Sequence, residues 1–362
     1  METINNKFFK DKTIALFYGG RSPEHEVSIE STKTIYPILQ NLFNKVYLIG
    51  VTKQGYYHFQ NLNTDFSINI EFEIQDSIKL GNELNFIPAR GIFLHSNKIN
   101  IDLAFILIHG NEGEDGKLQG LLDIMDIKYT GVNATSSGIC MYKSLANFIL
   151  KSNNINTINT LVLCKNDTVL PLRKIQEILG TSLFIKSETT GSSVGITALE
   201  TPTQLSLSRA IENGFKYSER VLIQPFLKDI QEMEVAILET IDQKIIAGGP
   251  GLVLKSNMSD VLSYEKKYGK YDIATMDTTL IKNEILKKEL RNQAIKIFKI
   301  LNLSGFCRID FFYKDKTIYF NEINTIPGLT NKSHYPILIK SAGYTLDTAI
   351  YEICRKSYEE KL

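Results

Sequence analysis

The stretch from 306 to 329 constrains the fold of this chain most, because its residues follow the pattern of a β-hairpin. Charged and apolar residues alternate over Arg308–Tyr313, three polar residues at Lys314–Lys316 offer a turn, and Thr317–Glu322 returns as a second strand. Side chains at matched positions of two antiparallel strands project from the same face. The pattern therefore predicts that the polar side chains near the shared end of the two strands lie together.

Four of those side chains form a set with a definite chemistry: Arg308, Asp310, Glu322 and Asn324. Two carboxylates and a carboxamide are hard oxygen ligands of the kind that suits Mg²⁺ bridging nucleotide phosphates. A guanidinium beside them is a planar fork for an oxyanion or a phosphate group. A solvated hairpin with an ordinary ion pair is the alternative. Gly328, where the backbone can approach a ligand closely, favours the binding site.

Length and charge indicate how many domains the chain forms and argue against a nucleic-acid-binding or membrane-spanning protein. A chain of 362 residues can bury a large core and is expected to fold as two or three domains. A formal net charge of +1 gives no basic field for nucleic acid, and no apolar run is long enough to span a membrane. The four cysteines are scattered, and the first residues lack a signal-peptide core. We therefore expect buried thiols in a cytoplasmic protein.

The first part of the chain has the order of strand, glycine turn and helix that opens a parallel α/β unit. Thr13–Tyr18 is a short apolar strand that ends at two glycines, and Ile101–Ile108 is a near-continuous apolar run typical of a strand buried on both faces. Ligand loops lie at the carboxyl ends of such strands, which makes Glu24 and His109 candidate site residues. Glu24 also suits a plain helix cap, and a lone histidine at a strand end is often a structural donor.

Later segments carry further signals. Lys186 ends a short strand and precedes 187–195, a loop of small hydroxyl residues and glycines whose backbone N–H groups can cradle phosphates. A simple hairpin turn is the alternative for this loop, since no Walker sequence closes it. Ser137–Lys151 is predicted as one helix that carries Lys143. Residues 255–276 have poor periodicity and many Tyr, Lys and Ser residues, which predicts a long lid.

Five motifs in this order resemble the D-alanine–D-alanine ligases of the ATP-grasp superfamily. They are GGRSPEHEVS at 19–28, HG at 109–110 with GEDG at 113–116, GSSVG at 191–195, RID at 308–310, and NEINT at 321–325 with PG at 327–328. Each motif alone is weak, but together they run from near residue 13 to the C-terminus. The longer first domain is similar to the long-form branch of the family.

The resemblance implies an ATP-grasp architecture of mixed α/β and α+β class, in which an open parallel α/β domain precedes two α+β domains that clasp the nucleotide. The expected domains are an N-terminal substrate domain at 1–137, a central domain at 138–224 and a C-terminal catalytic domain at 225–362. The implied reaction joins two D-alanine molecules through a D-alanyl phosphate, for peptidoglycan precursor synthesis. The implied cofactors are ATP and two Mg²⁺ ions, with Mn²⁺ as an alternative, and the implied assembly is a cytoplasmic homodimer with no nucleic-acid or membrane partner.

The same resemblance implies roles for residues that contact the two amino acids. Glu24 holds the ammonium group of the first D-alanine, and His109 lies near that substrate. Ser192 and Tyr268 form a hydrogen-bonded group with Glu24 across three segments. Ser333 contacts the carboxylate of the second D-alanine.

Other implied roles concern the nucleotide. Lys143 and Lys186 hold phosphates, and Lys267 reaches the γ-phosphate from the lid. Gln224 contacts the adenine and Glu232 the ribose.

The hairpin and the glycine after it supply the remaining roles. Asp310, Glu322 and Asn324 carry the two metal ions, which neutralise phosphate charge. Arg308 and the Gly328 backbone N–H stabilise the oxyanion of the tetrahedral intermediate.

This sequence departs from the family pattern in three places. Tyr142 precedes Lys143 where the family usually has Asp, which predicts a local change in packing. Gln224 stands where Glu is common, so it should still hydrogen-bond the base edge with less charge. Lys332 and His334 alter the surroundings of the second-substrate carboxylate.

Three other functions compete with this one. A D-alanine–D-lactate ligase uses a hydroxyl nucleophile and typically has His in the place of Tyr268, so the tyrosine favours an amine nucleophile. A nucleotide-binding paralogue without ligase activity would lack charged residues such as Arg308 and Lys267, which are present. Other ATP-grasp carboxylate–amine ligases do not need Glu24, which weighs against them.

Overall fold

The computed structural model describes residues 7–60, 83–191, 194–254 and 275–359, and in these ranges the strands form four sheets. Numbered along the chain, the strands are β1 Thr13–Gly19, β2 Lys45–Val51, β3 Tyr57–Gln60, β4 Leu84–Ile87, β5 Gly91–Leu94, β6 Asn97–Ile99, β7 Leu103–Ile106, β8 Leu161–Cys164, β9 Leu183–Ser187, β10 Thr197–Leu199, β11 Arg220–Pro225, β12 Gln231–Glu239, β13 Ile245–Leu254, β14 Thr275–Asp277, β15 Phe306–Lys314 and β16 Thr317–Asn324.

Helices cover the faces of these sheets. In the same numbering they are α1 His25–Leu42, α2 Lys117–Ile124, α3 Ala134–Met141, α4 Lys143–Ser152, α5 Leu172–Leu179, α6 Gln204–Phe215, α7 Glu284–Ile300, α8 His334–Lys340 and α9 Leu346–Glu359.

The first sheet has the strand order β3-β2-β1-β7, in which β1 pairs in parallel with both β2 and β7. Every residue of β7 is buried, which confirms the prediction of an apolar strand inside a parallel sheet. Between 55 and 99 the chain forms β3 and the small antiparallel sheet β4-β5-β6, while 61–82 lies outside the described residues.

Two antiparallel sheets follow. One has the order β10-β9-β11-β8 and the other β14-β13-β12-β15-β16. Because β12 and β16 flank β15, side chains from three strands meet on one face of the second sheet. That face carries most of the charged groups that the hairpin pattern indicated.

One hydrophobic cluster joins the two ends of the chain. Residues of β1 and α1 share it with residues of α8 and α9, and Phe9 contacts the rings of Phe43 and Tyr358. The apolar stripe of α7 packs in a separate cluster against β12 and β15. The domain boundaries after 137 and after 224 stay predictions.

Three features differ from the sequence prediction. The helix predicted over Ser137–Lys151 is two helices, because Tyr142 has φ −82° and ψ 87°, which is outside the helical region. A helix that the sequence analysis did not predict, α6, starts with a capping box in which the side chain of Thr203 accepts from the N–H of Ser206. The lid prediction falls on 255–274, outside the described residues, and its last two residues belong to β14.

Candidate active site

The hairpin is present and places its charged side chains as the alternation predicts. Asp315 and Lys316, both with positive φ, make the two-residue turn between β15 and β16. Arg308 lies opposite Asn324, and Asp310 lies opposite Glu322. The pairing shifts by one residue just beyond Asp310, a β-bulge of the kind found beside active sites.

Three of these four side chains make direct contacts with one another. The Nε and one terminal nitrogen of Arg308 donate to the two oxygens of Asp310, each at 2.8 Å. The Asn324 amide donates to Asp310 Oδ2 at 3.0 Å. A bidentate contact of this kind fixes the plane of the guanidinium.

Glu234 of β12 forms the other side of the cluster and belongs to none of the motifs described above. Glu234 Oε2 lies 3.0 Å from Arg308 Nε and 2.9 Å from Nδ1 of His334, the first residue of α8. Glu234 lies opposite Asp310 in the register of β12 and β15. Its position two residues after Glu232 was the available signal, since alternate residues of a strand share a face. The pairing of β12 with β15 could not be derived from the sequence.

The electrostatics of this cluster fit a bound cation. Burial raises the pKa of Asp310 to about 6; the Arg308 charge opposes that rise, while the carboxylates of Glu234 and Glu322 add to it. Burial lowers the pKa of Arg308, but the charges of Asp310 and Glu234 outweigh it, so the guanidinium stays charged. A divalent cation would favour the ionised form of carboxylates crowded in this way.

The oxygen donors that the hairpin supplies do not make a complete cage. Among residues 7–60, 83–191, 194–254 and 275–359, no group of three or more His, Cys, Asp or Glu side chains is placed to hold a metal ion. Asp310, Glu322 and the amide of Asn324 supply oxygen atoms, which are the donors that a divalent cation takes together with phosphate and water.

Two lysines from other elements reach this end of the hairpin. Lys143 Nζ lies 3.7 Å from Glu322 Oε2, although Lys143 belongs to α4. Burial lowers the pKa of Lys186 to about 8; the carboxylate of Glu322 opposes this, and the charge of Lys143 adds to it. Two buried cations so close to one carboxylate form a site suited to an anion such as a phosphate group.

Gln224 and Glu232, which are expected to contact the adenine and the ribose, lie on the sheets that carry Lys186 and the hairpin. Gln224 of β11 is buried and donates to Thr160 Oγ1 at 2.8 Å. Because Leu222 is opposite Lys186, Gln224 projects from the same face as that lysine. Glu232 lies opposite Phe312 on the face of β12 that also carries Glu234.

Glu24 lies where three segments meet. A methyl group placed on Gly110 would be 3.3 Å from Glu24 Oε2, and one placed on Gly191 would be 3.5 Å from it. Glu24 comes from the segment before α1, Gly110 follows β7, and Gly191 belongs to the loop after β9. The two glycines thus allow the carboxylate to approach both loops.

His109 joins the first sheet to the segment after the hairpin. Its Nδ1 lies 2.8 Å from the carbonyl oxygen of Ile326 and 3.8 Å from Glu114 Oε1. Burial lowers the pKa of His109, but Glu114 and Glu24 outweigh this effect and raise it. Its Nε2 is buried and has no hydrogen-bond partner among the described residues, so a polar atom of a ligand can bind there.

Gly328 and Ser333 lie together at the end of the site nearest α8. A methyl group on Gly328 would lie 2.8 Å from Ser333 Oγ, so only glycine fits without movement. The Ser333 hydroxyl accepts from the N–H of Thr330 at 3.2 Å. Ser192, Lys267 and Tyr268 lie outside the described residues, so their proximity to these groups stays a prediction.

Comparisons with known proteins cover almost the whole chain. A family model described as D-ala D-ala ligase N-terminus matches residues 13–132, and one described as D-ala D-ala ligase C-terminus matches residues 149–355. The D-alanine–D-alanine ligase of Finegoldia magna is 33% identical over 347 residues, which span 94% of this chain and 93% of that protein. That of Thermoanaerobacter pseudethanolicus is 32% identical over 366 residues, with 96% and 97% covered.

Two solved structures of ligases also match nearly the whole chain. The D-alanine-D-alanine ligase from Coxiella burnetii superposes with a TM-score of 0.82 at 26% identity, covering 97% of this chain and 94% of that one. The VanG D-Ala:D-Ser ligase from Enterococcus faecalis superposes with a TM-score of 0.81 at 27% identity, covering 96% of this chain and all of that one (100%).

Proposed function

The chain belongs to the D-alanine–D-alanine ligase family, and we propose that the charged groups around β15 and β16 carry out its ATP-dependent ligation of two D-alanine molecules. The family has the ATP-grasp fold, uses ATP and a divalent metal, and supplies a precursor of peptidoglycan. The observation that carries the proposal is the convergence of Arg308, Asp310, Glu322 and Asn324 with Lys143 and Lys186.

Binding of the first D-alanine is assigned to the region where the three segments around Glu24 meet. The Glu24 carboxylate pairs with the substrate ammonium, and Gly110 and Gly191 leave room for it. His109 Nε2, buried and without a partner among the described residues, is available to a polar atom of the same substrate. Ser192 and Tyr268 complete this group in the proposal.

The phosphate end of the site is assigned to the lysines and the hairpin carboxylates. Lys143 and Lys186 oppose the phosphate charge, with Lys267 joining them, while Gln224 and Glu232 position the adenosine. Asp310, Glu322 and Asn324 would hold two Mg²⁺ ions. When bound, such ions neutralise the charge on the phosphate groups and so favour attack by the anionic carboxylate of D-alanine.

In the reaction, the first D-alanine carboxylate attacks the γ-phosphorus, ADP leaves, and a D-alanyl phosphate forms. The amine of the second D-alanine then attacks the acyl carbon, its proton is lost, and inorganic phosphate departs from the tetrahedral intermediate. The Arg308 guanidinium, held between Asp310 and Glu234, and the N–H of Gly328 are oriented donors for the developing oxyanion. Ser333 fixes the carboxylate of the second substrate.

The choice of the second nucleophile is tested by product analysis. The protein is incubated with ATP, Mg²⁺ and D-alanine, with D-lactate or D-serine in competition, and phosphate release is followed by mass analysis. D-alanyl-D-alanine as the main product supports the proposal. A D-alanyl-D-lactate product would retain the ATP chemistry but reject the amine nucleophile, and ATP binding without turnover would reject the ligase assignment.

Assembly and location complete the proposal. In the described ranges no helix is long and apolar enough to cross a membrane. We propose a homodimer in the cytoplasm, where ATP and D-alanine are available. Sedimentation of the purified protein tests the dimer, and a single monomer species at micromolar concentration would reject it.

A further inference from the structure

Helix α4 starts without a cap from its own sequence. Tyr142 stands at the N-cap position, and its side chain makes no cap hydrogen bond. Ser, Thr, Asp and Asn are preferred there because their oxygens accept from the first free N–H groups of the helix. The start of α4 matters for the site, because Lys143 is its first residue.

The side chain of Glu188 takes over the capping role from a distant segment. Its Oε1 accepts from the N–H of Ser144 at 3.3 Å and also from the Ser144 hydroxyl. Ser144 is the second helical residue, whose N–H an N-cap side chain would ordinarily satisfy. Glu188 belongs to the loop after β9, 44 residues further along the chain.

Glu188 is buried and lies beside one charged side chain. Its side chain is 0% exposed, and Arg220 Nε lies 3.9 Å from Oε2. The backbone N–H of Glu188 donates to the carbonyl oxygen of Arg220 at 3.1 Å. The Arg220 guanidinium also lies 5.9 Å from the centre of the Tyr142 ring, so one arginine contacts both the residue that fails to cap and the one that caps.

The same loop holds the ammonium group of Lys143. Lys143 Nζ donates to the carbonyl oxygens of Glu188 at 3.3 Å and Thr190 at 2.8 Å. Glu188 therefore joins the start of α4 to the loop through its side chain and through its backbone. Lys186 lies two residues before it, so the link fixes both lysines relative to each other.

We propose that Glu188 is a positioning residue for ATP binding: it caps α4 from the neighbouring loop and thereby sets Lys143 against Lys186. This inference rests on the proposed function, in which both lysines hold phosphates. Glu188 itself contacts neither substrate in the proposal. Its effect is on nucleotide affinity, through the geometry of the two cations.

The test is a rescue experiment on ATP affinity. Glu188→Ala should weaken ATP binding about tenfold, the equivalent of one lost cap near 1.4 kcal/mol, with a smaller change in kcat. Adding Tyr142→Asp to Glu188→Ala supplies a cap from the ordinary position and should restore the dissociation constant to within about threefold of the wild type. Tyr142→Phe in the same background is the matched control, and it should restore nothing.

A second variant changes Ser144, the residue that donates to Glu188. It leaves the Glu188 carboxylate in place beside Arg220. Ser144→Ala removes the hydroxyl that donates to Glu188 and keeps the N–H that also donates to it, so ATP binding should weaken only about threefold. Adding Ser144→Ala to Glu188→Ala should cost no more than Glu188→Ala alone, because Glu188→Ala has already removed the hydroxyl contact. If Glu188→Ala proves too unstable to purify, this variant still decides: unchanged ATP affinity in Ser144→Ala overturns the proposal. Unchanged affinity in Glu188→Ala, or equal rescue by Tyr142→Phe, also overturns it.

The readout separates this inference from the function on which it rests. ATP affinity is measured by calorimetry with Mg²⁺ present, while ligase activity is measured as D-alanyl-D-alanine formed. Failure of the proposed function would appear as a wild-type protein that forms no dipeptide. Failure of the positioning role would appear as an active wild type whose Glu188→Ala variant binds ATP normally.

Discussion

Replacing Glu234 by Gln should slow the chemical step more than its effect on stability suggests. Glutamine keeps the volume of the side chain and removes the charge that faces Arg308 and His334. The guanidinium keeps its two bonds to Asp310, so it stays charged but loses the partner on its other side. Its orientation toward the developing oxyanion then depends on one carboxylate.

The magnitude follows from the contact. At the 3.0 Å that separates Glu234 Oε2 from Arg308 Nε, an effective dielectric constant of about 20 gives a gross attraction of roughly 5 kcal/mol. Desolvation offsets much of this, and a hydrogen bond to a charged group contributes about 1.5–3 kcal/mol net. If most of that net interaction orients Arg308, kcat should fall about 10- to 100-fold.

The assay couples ADP release to NADH oxidation under saturating ATP, with D-alanine varied so that its two binding events separate. Glu239→Gln is the matched control, because Glu239 lies on the same strand, accepts from the Gly305 N–H at 3.1 Å and pairs with Lys356 at 3.4 Å, away from the hairpin cluster. It should lower the free energy of unfolding without lowering kcat. A Glu234→Gln enzyme with wild-type kcat, or a Glu239→Gln enzyme with the same loss of kcat, would refute the reasoning.

Three further predictions concern the same site. Glu322→Gln should lower kcat at least about 100-fold and raise the Mg²⁺ concentration needed for half-maximal rate. The free energy of unfolding measured in urea should change by less than about 1 kcal/mol. Wild-type turnover in this variant would contradict the assignment of Glu322 as a metal ligand. Lys186→Met should abolish ATP binding yet stabilise the fold by about 3 kcal/mol at pH 7, because the folded-state pKa of about 8 lies below the ordinary 10.5. That gain is complete below pH 8 and disappears as pH rises toward 10.5, so a gain that is independent of pH in urea titrations would contradict it. Gly328→Ala should reduce kcat/KM about tenfold or more, since the added methyl group lies 2.8 Å from Ser333 Oγ; unchanged kinetics would mean that the 328–333 segment yields easily.

Local periodicity was enough to predict the hairpin and its cluster. The signal lies in neighbouring residues: charged and apolar residues alternate around Arg308 and Asp310, and polar residues precede Thr317. The observed pairing of β15 with β16 agrees with this pattern. The buried parallel strand before His109 was predictable for the same reason. In each case the signal lies within one element or one turn.

Contacts between distant segments were not predictable. Glu234 joins the cluster because β12 pairs with β15, and nothing in either strand specifies that neighbour. Glu188 replaces the missing cap at Tyr142 across two elements, so the break between α3 and α4 could not be seen from the helical pattern alone. A sequence pattern indicates the chemistry that a side chain offers. Which distant residue it contacts depends on how the sheets pack.

The hydrophobic cluster shared by the first strand and the last helix has a consequence for synthesis on the ribosome. About 250 residues separate the end of β7 from the end of α9. At about 5–20 residues per second, translation of that interval takes roughly 12–50 s. Throughout that time the apolar surface that α9 covers stays exposed on the nascent chain. We therefore expect the opening third of this protein to be prone to aggregation until α9 has been synthesised and covers that surface.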